Sequence, residues 1–155
     1  MSDQVEVKPS GPIKASIRPP SSKSITNRAL ICAALAEGES PLLQPLHSDD
    51  TRYMAESLRK LGSITVDESP SSQDPQSANP AEWRVSGCGG TFRNNSADLY
   101  IGNSGTSVRF LTAMVSVGEG TFELSGIARM HERPIQDLLD ALNALGAKAI
   151  SVEDT

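Results

Sequence analysis

Residues 21–38, "SSKSITNRALICAALAEG", set three serines, a threonine, an asparagine and two cations directly before a run without a single polar side chain. Upstream, Ile13, Ala15 and Ile17 alternate with Lys14, Ser16 and Arg18, a period of two that predicts a strand, and Pro19-Pro20 then forces an extended exit. Strong helix formers follow, so the quoted stretch predicts a helix that begins near Ser24 and stops at Gly38, glycine being a frequent terminal residue. Residues 29–36 are apolar in every direction, which predicts a helix buried all round. The polar cluster then lies at the mouth of a buried helix, where unpaired backbone N–H groups and a partial positive charge favour an anion.

Working outward, "SPLLQPL" (40–46) reads as a short strand, and "SDDTRYMAESLRKLG" (48–62) as an amphipathic helix. In that helix Asp49 and Asp50 suit the positive end, Met54, Leu58 and Leu61 form the apolar face, Arg59 and Lys60 suit the negative end, and Gly62 terminates it. "SITV" (63–66) and "EWRVSG" (82–87) read as strands, and the Ser, Pro, Asp and Gln between them (67–81) as a surface loop. The plan then recurs. "SGTSVRFLTAMVSVGEG" (104–120) parallels "SITNRALICAALAEG" (24–38), and "RPIQDLLDALNALGAKAISV" (133–152) parallels "TRYMAESLRKLGSITV" (51–66), with Ile135, Leu138, Leu139, Leu142 and Leu145 on one face. Arg28 and Arg109 are 81 positions apart and Gly62 and Gly146 are 84 apart. Near-equal offsets with one element order predict duplicated βαβα units.

Composition limits the partners. A 155-residue chain with 37% hydrophobic and 21% charged residues can bury a core. Its formal charge of −5, without a Lys/Arg run, argues against nucleic acid. The first ten residues lack the features of a signal peptide and no apolar run reaches the ~20 residues that span a bilayer, so the expectation is a soluble, cytoplasmic protein with no membrane partner. Cys32, Cys88, His47 and His131 have no ligand spacing, which predicts incidental or buried thiols, no disulfide and no metal.

Three polar clusters carry candidate chemistry. In the first, Lys23, Ser24, Thr26, Asn27 and Arg28, the four-residue spacing of Ser24 and Arg28 puts a hydroxyl and a guanidinium on one helical face. The same residues also read as a serine cap beside two solvated cations. In the second, "GNSGTSVR" (102–109), Gly102 and Gly105 permit close backbone approach while Asn103, Ser104, Thr106 and Arg109 supply donors; an ordinary capped glycine turn has the same composition. It lacks the lysine and spacing of a nucleotide-binding loop. In the third, "RMHERP" (129–134), Arg129 and Arg133 bracket Glu132, and the plain reading is an ion pair with Glu132 and Pro134 at a helix start.

Taken in order, "SKSITNRA", "SDDTRYM", "GNSGTSVRFL" and "RMHERPI" resemble the N-terminal part of the 5-enolpyruvylshikimate-3-phosphate synthase family, from about Ser10 onward. The resemblance implies an α/β, inside-out α/β barrel (enolpyruvyl transferase fold) built from repeated βαβαββ units. It implies transfer of the enolpyruvyl group of phosphoenolpyruvate to the 5-hydroxyl of shikimate 3-phosphate, by addition and then elimination of phosphate, with no cofactor. Carried over by motif, Lys23 is the catalytic residue and contacts both substrates, while Ser24 and Arg28 hold shikimate 3-phosphate. Asn103, Gly105, Thr106 and Arg129 form the phosphoenolpyruvate pocket, which in the family also accepts glyphosate, and Arg109 has the motif position with a holding role as the alternative. Two residues depart from the pattern: Ser21 stands where the family commonly has glycine and Phe110 where it often has proline.

Family members are more than twice as long. The resemblance therefore implies a monomeric fragment without the C-terminal domain, inactive alone, with unit one at about 12–92 and unit two at about 97–155 of a partial N-terminal domain. A non-catalytic anion-binding module of the same fold and an enolpyruvyl transferase for a UDP-sugar acceptor are the alternatives. The sister family acting on UDP-N-acetylglucosamine has a different first motif and a cysteine loop that this sequence lacks.

Overall fold

Ser22 decides where the first helix begins: its backbone is extended and its hydroxyl accepts from the Ile25 N–H at 3.3 Å, so one orphan donor of the first turn is satisfied. The computed structural model describes residues 6, 8–9, 11–17, 19–62, 64–68 and 81–152. Its elements in chain order are α1 (Lys23–Leu35), β1 (Glu37–Leu43), α2 (Asp49–Lys60), β2 (Thr65–Glu68), β3 (Glu82–Cys88), β4 (Ser96–Tyr100), α3 (Gly105–Val115), β5 (Thr121–Ser125), α4 (Ala128–His131) and α5 (Gln136–Ala144). Residues 69–80 of the expected surface loop lie outside the described residues, as does Arg18 of the expected first strand.

β3 is the centre of an antiparallel sheet of order β1-β3-β2, with Glu37 opposite Cys88 at one end of β1 and Leu43 opposite Glu82 at the other. β4 and β5 pair in parallel, with α3 as the connection between them. α1 packs on β3, β1, α2 and α3, so the core is assembled around its inner face. Leu30, Ala34, Met54, Leu58, Leu61, Trp83, Val85, Leu99 and Leu111 are completely buried there. α2 follows its sequence pattern closely: Ser48 and Thr51 form a reciprocal capping box, Met54 and Leu58 are buried, and Gly62 takes the left-handed conformation (φ 79°) just after the helix.

Several expectations are corrected. α1 ends at Leu35 rather than at Gly38, because the chain is captured by the sheet: the Gly89 N–H donates to the Ala36 carbonyl at 3.0 Å and pairing with β3 begins at Glu37. Gly38 instead occupies a positive φ within β1. α1 is not buried all round, since Ile25 is 68% exposed and Cys32 is exposed; an apolar circumference permits full burial, but only the sides facing β3, β1, α2 and α3 are covered. Residues 11–17 form no strand, and Ile13 and Ile17 are exposed, because alternation selects a face without supplying the neighbouring strand that a ladder requires. Residues 150–152 likewise form no strand, with Ile150 and Val152 exposed.

The second half runs β4, α3, β5, α4, α5, whereas the first half opens on α1 without a preceding strand among the described residues. α5 starts later than "RMHERP" suggests: Ile135 is its N-terminal cap, so Glu132 and Pro134 precede it rather than forming its first turn. Leu139 is its buried residue, Ile135, Leu138 and Leu142 are half-buried, and Leu145 is exposed.

Gly87 sets the contact between β3 and the end of α1. A Cβ there would run into the carbonyl oxygens of Ala33 and Ala36, backbone atoms that cannot rotate away. Gly87→Ala is expected to lower stability by about 1–3 kcal/mol through this overpacking, read as a lower urea midpoint with an unchanged slope.

Candidate anion-binding cleft

Three helices begin at one place, and buried hydroxyls hold them together. Thr26 Oγ1 donates to the Ser22 carbonyl (3.0 Å) and accepts from the Leu46 N–H (2.9 Å), tying α1 to the segment before α2. Thr51 Oγ1 donates to the Leu46 carbonyl at 2.8 Å, closing the same segment from the α2 side. In α3, Ser104 caps the helix by accepting from the Ser107 N–H at 3.2 Å, and Ser107 Oγ reaches the Asp50 carbonyl at 3.5 Å. Each helix thus has a serine cap, Ser22, Ser48 or Ser104, and the orphan donors of three first turns gather on one side of the molecule.

These ends border an open cleft of about 660 Å³. α1 contributes Lys23 and Arg28, and α2 contributes Asp50. The turn before α3 and its first residues contribute Asn103, Gly105, Thr106, Arg109 and Phe110, and Arg133 enters from between α4 and α5. Lys23 Nζ pairs with Asp50 Oδ2 at 2.8 Å. The Arg28 guanidinium donates to the Ser24 carbonyl at 3.1 Å and lies 5.5 Å from the centre of the Phe110 ring. Arg109 donates to the Pro134 carbonyl at 2.9 Å. Four cations and one carboxylate therefore line a chain of net charge −5, a local field opposite in sign to the whole.

Of the residues proposed from sequence, the cleft brings together Lys23, Arg28, Asn103, Gly105 and Thr106. Ser24 is exposed and is not among the lining residues. Arg129 lies on α4, where it pairs with Glu132 at 3.3 Å with its side chain 72% exposed, and it too is not among the lining residues. Asp50, read from sequence only as a helix-start carboxylate, is the partner of Lys23; the (i, i+27) spacing carries no local signal for that contact. Arg133 was read from sequence only as one of two arginines bracketing Glu132; the ion pair expected there forms, and its partner is Arg129. His131 Nε2 is 3.1 Å from the Gly126 carbonyl. No group of three or more His, Cys, Asp and Glu able to hold a metal occurs among the described residues, and no helix among them is long and apolar enough to cross a membrane.

Thr26→Val, which keeps the shape and removes the hydroxyl, is expected to cost about 1–2 kcal/mol by leaving the partly buried Leu46 N–H without its acceptor. Chemical denaturation measures the loss, and faster amide exchange at Leu46 localises it.

Comparison with known proteins places this geometry in a family. The chain is 45% identical over 146 residues to the 3-phosphoshikimate 1-carboxyvinyltransferase of Ralstonia pickettii (strain 12J), covering 94% of this chain and 31% of that protein. It is 46% identical over 132 residues to the enzyme of the same name from Thiobacillus denitrificans, covering 85% and 28%. The chain thus spans about 30% of the length of these relatives. Its structure superposes on EPSP synthase from Acinetobacter baumannii with a TM-score of 0.71 and 26% identity, over 88% of this chain and 29% of the other. The fold is accordingly part of the inside-out α/β enolpyruvyl transferase fold. Residues 7–155 match the family model for EPSP synthase (3-phosphoshikimate 1-carboxyvinyltransferase), and the chain belongs to that family.

Proposed function

We propose that the chain forms one wall of the substrate cleft of a cytoplasmic 3-phosphoshikimate 1-carboxyvinyltransferase, acting on shikimate 3-phosphate and phosphoenolpyruvate. The observation that carries this reading is the convergence of three helix N-termini and four cations on one cleft, in a member of this family. Both substrates are small polyanions bearing a phosphate and a carboxylate, the chemistry that oriented N–H groups and guanidinium forks recognise. In this assignment Arg28 and Ser24 hold shikimate 3-phosphate at the α1 mouth. Asn103, Gly105 and Thr106 border phosphoenolpyruvate near the α3 mouth and Lys23 stands between the two, while Arg129, which the resemblance assigns to phosphoenolpyruvate, lies on α4 outside the cleft lining.

Lys23 has a defined starting state. Its ammonium is paired with Asp50, but the side chains are 47% and 22% exposed, and a pair this open to water is weak enough to exchange for a ligand oxyanion. The acid–base carboxylate and lysine that the family resemblance places in later segments are not assigned to any residue of this chain. Proximity and preorganised charge require both walls of the cleft. Phosphate release by this chain alone is therefore expected to be negligible, and to appear when the remaining part of the enzyme is supplied; full turnover by the chain alone counts against the assignment.

Two binding measurements test the acceptor. Shikimate 3-phosphate is expected to shift the amide resonances of Lys23, Ser24 and Arg28, with UDP-N-acetylglucosamine leaving them in place; the reverse pattern favours a UDP-sugar acceptor. Arg28→Ala is expected to weaken shikimate 3-phosphate binding by about 2–3 kcal/mol in a calorimetric titration, the scale of a charge-assisted hydrogen bond.

A further inference from the structure

The four cations of the cleft differ in what already occupies them. Lys23 is paired with Asp50, Arg28 is spent on the Ser24 carbonyl and the Phe110 face, and Arg109 on the Pro134 carbonyl. Arg133 lines the same cleft, yet its guanidinium has no hydrogen-bond or ion-pair partner among the described residues. Its seat is nevertheless defined. The Arg133 N–H donates to the Met130 carbonyl at 3.1 Å, and Arg109 holds the next residue, Pro134, against α3. The guanidinium then rests over Gly105: a Cβ added there would lie 2.5 Å from Arg133 Nη1. The first residue of α3 lacks a side chain where the arginine fork needs space.

We infer that Arg133 is a ligand-holding residue of the cleft, seated in the gap left by Gly105, and that its fork receives an oxyanion of the phosphoenolpyruvate-class ligand at the α3 mouth. This rests on the substrate reading above and adds to it a residue that sequence motif alone does not assign. Gly105 acquires a second role, since its missing side chain serves the arginine as well as the backbone. Arg109 becomes a positioning residue, acting on the ligand through Pro134 and Arg133. A guanidinium whose backbone is fixed and whose tip is unpaired among the described residues can form two parallel hydrogen bonds without first breaking an ion pair.

The test is calorimetric titration of the 155-residue chain with phosphoenolpyruvate, inorganic phosphate and shikimate 3-phosphate, at two salt concentrations. Arg133→Ala is expected to weaken phosphoenolpyruvate and phosphate about 10- to 100-fold and to flatten their salt dependence, while shikimate 3-phosphate changes less than about twofold. Arg133→Lys, which keeps the charge and loses the fork, is expected to fall between wild type and Arg133→Ala. Gly105→Ala displaces only the end of a flexible side chain, so the fold is kept and anion affinity falls. In the double variant its loss is expected to be smaller than in the wild-type background, because the part that acts through Arg133 is already gone. Fully additive losses overturn the link to Gly105. Unchanged phosphoenolpyruvate affinity in Arg133→Ala, with Arg28→Ala still losing shikimate 3-phosphate, overturns the role of Arg133 and leaves the substrate reading standing. Failure of the wild-type chain to bind any of the three anions overturns both.

Discussion

The cleft depends on three buried side-chain hydroxyls, those of Thr26, Thr51 and Ser107. Each completes a helix start and, with the same oxygen, ties it to a neighbour: Thr26 and Thr51 meet on the two backbone groups of Leu46, and Ser107 reaches the carbonyl of Asp50. A typical net contribution is only about 1 kcal/mol per bond, but a buried group left without its partner costs more, so the penalty for losing any one of them maintains the set. The result is geometric. Three helix N-termini, each with orphan donors, are held at one mouth, and the apolar bodies of α1, α2 and α3 are directed away from it into the shared core.

That arrangement sets the electrostatics. Cations at a helix N-terminus oppose the helix dipole, so Lys23, Arg28 and Arg109 lie at unfavourable ends unless an anion compensates them. Asp50 compensates Lys23; backbone carbonyls occupy Arg28 and Arg109 without cancelling their charge. An acidic protein can in this way carry an anion-attracting cavity, because a local field within about a Debye length outweighs net charge. The incomplete internal compensation is the physical reason to read the cleft as a site rather than as a capped, self-satisfied surface.

Much of this was legible because it is local. α2 was readable from Ser48 to Gly62, since its cap, charged ends, apolar face and terminating glycine all lie within one stretch. The cationic cluster at the start of α1 and the glycine turn before α3 were readable for the same reason. What failed was non-local. Gly38 could not disclose that β3 would capture the chain at Glu37, and Ile13 and Ile17 could not disclose whether a strand lay beside them. The apolar circumference of α1 stated what could be buried, not what would be, and Ile25 and Cys32 remain outside. In "RMHERP" no short-range pattern marked the break between α4 and α5, which puts Arg129 on α4 and Arg133 between the two helices.

The recurring sequence motif also shows how matching positions diverge. Arg28 and Arg109 occupy matching places in the two halves, each within the first two turns of its helix. Arg28 bonds back along its own helix to Ser24 and lies against the Phe110 ring, so it remains at the cleft and bridges toward the other half. Arg109 reaches off its helix to Pro134 and fixes the segment that carries Arg133. Phe110 follows directly after Arg109 in α3, so one arginine holds a neighbouring loop while the next residue supports the other arginine. Each of these two helices carries an arginine in its second turn, and the contacts around each differ: Arg28 bonds to its own helix, whereas Arg109 bonds to the segment before α5. Matching motif positions thus carry the same residue type and make different contacts, one staying at the cleft and the other fixing a segment beside it.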